Sequence, residues 1–218
     1  MRRRHWLALA ILLPLHALAS PEALIGAAQR GDVATLRRLL VGGSYELNVR
    51  DARGRNAVLA ATQGGHVETA RLLIAHGADV NAQDDTRDSA FLLAGARGHT
   101  EIVRLALAAG ADLKSTNRYG GTALIPACHY GHVETVRALL GSGIDVNHVN
   151  HLGWTALLET VILGDGGPRH TEIVRLLIAH RADINLADRQ GITPLAHAEQ
   201  RGQARISELL RGAGGRRQ

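Results

Sequence analysis

Twelve histidines in 218 residues are the first chemistry this sequence offers, and metal binding is the chemistry they suggest. His66, His99 and His132 each follow a glycine and are spaced by 33 residues, and His170 follows a glycine-rich run. Zinc ligands must lie about 2.0–2.1 Å from one ion. Side chains one structural repeat apart stand about 10 Å from one another in stacked helices. This quartet cannot close on a metal and reads as scaffold. Two nearer pairs, His148 with His151 and His129 with His132, could hold a metal weakly but lack evident Cys or carboxylate support. No metal ligand is therefore assigned.

Other reactive types fare no better. Glu68, Glu101, Glu134 and Glu172 each lie two residues beyond one of those histidines, the pattern of a solvated helix face. Cys128 is the only cysteine, so no intramolecular disulfide forms, and it fills a helix position held by Ala in other segments, as a buried thiol would. The run Gly164-Asp165-Gly166-Gly167 could cradle phosphate only between a strand and a helix N-terminus. A helix pattern precedes it and no P-loop Lys follows, so an extended solvent loop is expected. Catalysis needs convergent groups in a water-excluding pocket, and no such set is recognisable. We assign no catalytic residue and no cofactor, and expect a non-enzymatic protein.

The elements that position these residues repeat. Tyr119 to Asn150 holds two short amphipathic helical patterns. Thr122 can cap the first, Gly131-His132 separates them, and Gly143 can end the second in a left-handed residue. The separating turn recurs at Gly65-His66 and Gly98-His99, with Gly31-Asp32 upstream and Gly202-Gln203 downstream. Possible helix caps recur as Asn56, Ser89, Thr122, Thr155 and Thr193. Such a pair cannot bury its apolar faces alone and implies stacked neighbours of the same kind.

The recurring pattern Asp-x-x-Gly-x-Thr-x-Leu…Ala…Gly-His…Val-x-x-Leu-Leu…Gly-Ala-Asp-Val-Asn resembles the ankyrin repeat over about residues 21 to 211. The resemblance implies an all-α solenoid of about six helix–turn–helix units with β-hairpin-like fingers, spanning 20–212, and a concave groove that binds a protein partner. Departures from the pattern carry their own expectations. Gly42-Gly43-Ser44-Tyr45 adds a residue to the first unit, and Arg87 replaces a finger glycine, which loosens that finger. Phe91 stands at a core position. Five extra residues, Asp165 to Arg169, fall between the helices of the fifth unit. Arg181 replaces a helix-ending glycine, at a cost of about 1 kcal/mol if left-handed. The last unit's short, polar second helix suits a cap, and residues 213–218 read as a disordered basic tail.

Residues 1–19 read as a signal peptide. Arg2-Arg3-Arg4 is the positive region, Trp6 to Leu15 the apolar one, and Ala17-Leu18-Ala19 the cleavage motif. The apolar run, interrupted by Pro14, is too short for a bilayer span of about 20 residues, so no stable membrane anchor is expected after cleavage. A periplasmic or secreted location follows, in a bacterial-type periplasm. With the leader gone, 22 basic residues face 20 acidic ones in mixed order, which argues against a nucleic-acid partner.

Carried over by position, the family's partner-contacting places fall on Arg53 and Arg55, Asp85 and Asp88, Arg118, Tyr119, His129 and Tyr130, His151 and Trp154, and Arg189. Leu152, Ile162, Leu163 and Gln190 share those places. Tyr, Trp and Arg are the types enriched in interface hot spots. The expectation is a monomer acting as an exported adaptor, inhibitor or protector of a periplasmic protein. The alternative is a metal- or small-ligand-binding stress protein using the finger histidines. Trp154 and Leu163 could equally pack between units.

Overall fold

The computed structural model describes residues 21–41 and 46–218. The expected signal peptide and the extra residue expected near Gly42 to Tyr45 lie outside the described residues. Among the described residues are twelve α-helices and no strand. They pair into six units: α1 (Pro21–Arg30) with α2 (Val33–Val41), α3 (Ala57–Gln63) with α4 (Val67–Ala75), and α5 (Ala90–Arg97) with α6 (Thr100–Ala108). Then come α7 (Leu124–His129) with α8 (Val133–Leu140), α9 (Ala156–Leu163) with α10 (Pro168–Ala179), and α11 (Pro194–Gln200) with α12 (Ala204–Gly212).

Helices of this length are marginal alone. Stacking holds them. First helices pack on first helices and second on second, giving two layers with one continuous core from Leu24 to Leu210. Small residues let the inner layer close up: a Cβ on Gly95 would stand 2.8 Å from the Ala123 carbonyl oxygen of the next unit. Phe91 is wholly buried, as its core position requires, and so is Cys128, whose thiol burial pushes far above its ordinary range.

Four of the five helix caps form as the sequence implies. Asn56, Ser89, Thr155 and Thr193 accept from the N–H groups of Leu59, Leu92, Leu158 and Ala196. Thr122 does not: its buried hydroxyl has no partner and α7 starts after Ala123. The cause is Pro126. In the other four units the residue at that place donates its N–H to the cap carbonyl, as Ala60 does to Asn56. Proline has no N–H to give.

Each finger is tied by the side chain at its base. Asp51, Asp84, Asn117, Asn150 and Asp188 each accept two backbone N–H bonds with one oxygen, from residues two and four places on. Gly54, Gly120, Gly153 and Gly191 complete the turn at positive φ. Arg87 does the same at φ 61°, and its finger keeps the Arg87 N–H to Asp84 carbonyl bond at 2.9 Å. That finger is therefore not loosened; the strain is borne by the arginine backbone. Arg181 is likewise left-handed, at φ 64°.

Two expectations at the C-terminal end are corrected. The insertion is not an extended solvent loop. Gly164 loses the left-handed turn, Gly166 takes it at φ 68°, and Gly167-Pro168 starts α10 early. Proline is suited to a first helical position because its missing N–H is not needed there. Asp165 accepts from the Gly167 N–H at 2.8 Å, and Gln203 of the next unit donates to the Val161 and Gly164 carbonyls. Nor is the tail after Gly212 disordered. Gly214, at φ 93°, stands where Gly110 and Gly143 stand in their units, and the Gly215 N–H bonds the Leu210 carbonyl at 2.8 Å. Arg216 then takes the place of the repeat's Asp: its N–H donates to Asn185, as that of Asp183 does to Asn147. Arg217 and Arg211 pair with Glu199 at 2.8 and 2.7 Å and hold its carboxyl below the usual range. The polar last helix is no shorter than its counterparts α4 and α6.

Candidate protein-binding groove

The histidine row is scaffold. His66 and His170 reach back to the carbonyls of Gln29 and His129 in the preceding unit, at 3.1 and 2.8 Å. His132 bonds the Ala96 carbonyl in the same way. The turn glycine below must be bare, since a Cβ on Gly98 would meet the His132 ring at 2.6 Å. His99 is the exception. Arg97 donates to the Gln63 carbonyl that His99 would use, and His99 Nε2 is left without a partner. The finger histidines are also engaged: His148 Nε2 lies 2.7 Å from the Gly120 carbonyl, and the His151 ring covers Gly120. Among the described residues, no group of three His, Cys, Asp or Glu side chains could hold a metal ion.

A groove of about 750 Å³ runs along the fingers and first helices of the third, fourth and fifth units. Asp88, Arg118, Tyr119, His129 and Tyr130 all line it, together with Leu152 and Leu163. Tyr119, Tyr130, Leu152 and Leu163 are 56, 55, 50 and 43% exposed, an apolar rim facing water. Arg118 stands 4.6 Å over the Tyr119 ring and 3.7 Å from the Asp88 carboxylate. Burial, with Asp84 nearby, raises the Asp88 carboxyl despite that arginine. Tyr130 stacks on His129 at 4.3 Å.

Other expected contact residues lie elsewhere. Arg53, Asp85, His151 and Arg189 are exposed on finger tips outside this groove. Trp154 is half-buried and does not line it. Arg55 is no surface residue: it is buried in an ion pair with Asp51 at 2.6 Å and bonded to Gln63 and Gln29.

Several lining residues, among them Leu93, Arg97, Asn150 and Glu159, escaped sequence reasoning; Glu159 matters most. Glu159 is only 7% exposed. Its Oε1 accepts from Asn150 Nδ2 at 2.9 Å, and its Oε2 lies 3.6 Å from His129 Nδ1. Burial pushes its carboxyl up to about 7, while burial and His170 hold His129 below the usual histidine range. The signal was available: Glu159 takes the helix position occupied by Pro126 and Leu93 one and two units earlier.

Comparison with known proteins agrees with this architecture. Family models for ankyrin repeats match residues 24–117 and 77–150 (three copies) and 168–211 (many copies). A crystal structure of an ankyrin repeat domain (ABAYE2397) from Acinetobacter baumannii AYE is 50% identical, covering 90% of this chain and all of that one, with a TM-score of 0.87. The ankyrin repeat protein EF0377 is 37% identical over 88% of this chain and 98% of its own, with a TM-score of 0.85. A structure of the Bd0816 predatory endopeptidase from Bdellovibrio bacteriovorus in complex with immunity protein Bd3460 also matches. There the identity is 23%, the coverage 89% and 99%, and the TM-score 0.75, so it carries the fold alone. Among curated proteins, "Putative ankyrin repeat protein YahD" of Escherichia coli (strain K12) is 46% identical over 57 residues; the match spans 26% of this chain and 28% of that protein.

Proposed function

The chain belongs to the ankyrin-repeat family, and we propose that it is an exported, non-enzymatic module whose concave groove captures a periplasmic protein as adaptor, inhibitor or protector. Ankyrin repeats are a protein-interaction scaffold. The observation that carries the reading is the rim of Tyr119, Tyr130, Leu152 and Leu163, exposed around one continuous groove. Exposed apolar patches of this kind mark interaction sites. A preformed groove on a stacked array also spends little ordering entropy on its partner. Export rests on the positive, apolar and small-residue segments of residues 1–19. An inhibitory or protective role has a precedent of class only, in the endopeptidase and immunity protein complex that shares the fold.

Crosslinked capture from native periplasm tests the proposal. Tyr119→Ala with Tyr130→Ala should abolish recovery of the partner, while Trp154→Ala, outside the groove, should spare it. Unchanged recovery by the double variant, with helicity intact by circular dichroism, overturns the groove as the binding site.

A further inference from the structure

We propose that the groove recognises one basic side chain of its protein partner, an Arg or Lys seated against Glu159. This rests on the reading of the groove as a protein-binding site.

Glu159 is a buried carboxylate without a permanent counter-charge. Acids at comparable sites have one: Asp51 has Arg55 at 2.6 Å and Asp88 has Arg118 at 3.7 Å. Among the described residues, no Lys or Arg pairs with Glu159. Asn150 supplies one neutral donor to Oε1. His129 stands 3.6 Å from Oε2, and its surroundings hold it toward the neutral form.

A carboxylate in this position is costly to keep, because burial removes water that the single Asn150 N–H only partly replaces. Its neighbours could not have forced the choice, since Leu and Pro serve at the equivalent place in the two preceding units. What remedies the deficit is a cation brought from outside. A guanidinium or ammonium carries the charge and donors that Oε2 lacks, on an apolar stem suited to the rim of Tyr119, Tyr130, Leu152 and Leu163. Aromatic faces add attraction for a cation, and Arg118 already uses Tyr119 in this way inside the groove.

The test is selection of displayed random dodecapeptides on the full chain, followed by affinity measurement of the enriched peptides. They should share one Arg or Lys between apolar residues. Replacing that residue by citrulline or norleucine should weaken binding about 30-fold or more, the scale of breaking a buried charge pair. Glu159→Gln keeps an acceptor for Asn150 and should weaken the basic peptides by a similar factor, leaving the neutral analogues unchanged. Thermal melting of the variant verifies that it is folded. Enriched peptides with no common basic residue, or indifferent to Glu159→Gln, overturn the inference. If those same peptides still need Tyr119 and Tyr130, the groove reading survives. Peptides indifferent to both tyrosines, or no enrichment at all, overturn both.

Discussion

At the Gly-His turn, unit after unit repeats the residue and its job; on the groove side, the units keep the position and change the residue. His66, His132 and His170 each bond a carbonyl of the unit before. Four places beyond each of the five cap positions, by contrast, stand Ala60, Leu93, Pro126, Glu159 and His197. The finger base answers to that variation. Asn150 donates to Glu159, whereas Asp188 accepts from His197 across the same two positions. The first row closes one unit on another and tolerates little change. The second is where one unit can differ from its neighbours without disturbing the stack.

The largest effect should come from breaking the first row. Gly98→Ala adds a Cβ at φ 71° against the His132 ring. Left-handed strain and overpacking together should cost about 3 kcal/mol, measured by urea unfolding. A loss under about 1 kcal/mol would show that the turn is not the fixed row described.

Glu159→Gln sharpens the contrast from the other side. A carboxyl raised in the folded state, from 4.5 to about 7, binds a proton more tightly folded than unfolded. Its stabilising effect is full below about pH 4.5 and is lost as pH rises through 7. The variant lacks this loss. Relative to the parent it should therefore gain on the order of 2 kcal/mol between pH 5 and pH 8. Parallel stability curves would remove Glu159 as a strained group.

Smallest should be the two left-handed arginines. Arg87→Gly and Arg181→Gly should each stabilise by about 1 kcal/mol in thermal unfolding, with partner capture unchanged, since neither lines the groove. Lost capture would move Arg87 or Arg181 from scaffold to function.

These contrasts also explain what could be read from residues alone. Period, caps and core were legible because each is written several times over. Departures were harder, since a single instance has nothing to average against. Glu159 looks like any helix glutamate until its neighbours at Leu93 and Pro126 are aligned with it. Arg55 and Asp88 hold the same place in their units, but only Arg55 turns inward, because Asp51, Gln63 and Gln29 receive it. The tail's glycines suggest disorder by composition, although Gly214-Gly215-Arg216 follows the rhythm of Gly-Ala-Asp. Pro168 was a helix-start signal that the surrounding glycines masked.

The fingers have a further use. One side-chain oxygen at the base fixes each turn, with a second tie from finger to finger, such as the Asp85 N–H to the Arg53 carbonyl and the His151 N–H to the Tyr119 carbonyl. None of this involves the side chains at the tips. Tip sequences can therefore be exchanged between units, or replaced by foreign ones, without redesigning the backbone that presents them. Retargeting such a protein is a matter of changing letters at fixed addresses, with the Asx residue and the left-handed turn residue left alone.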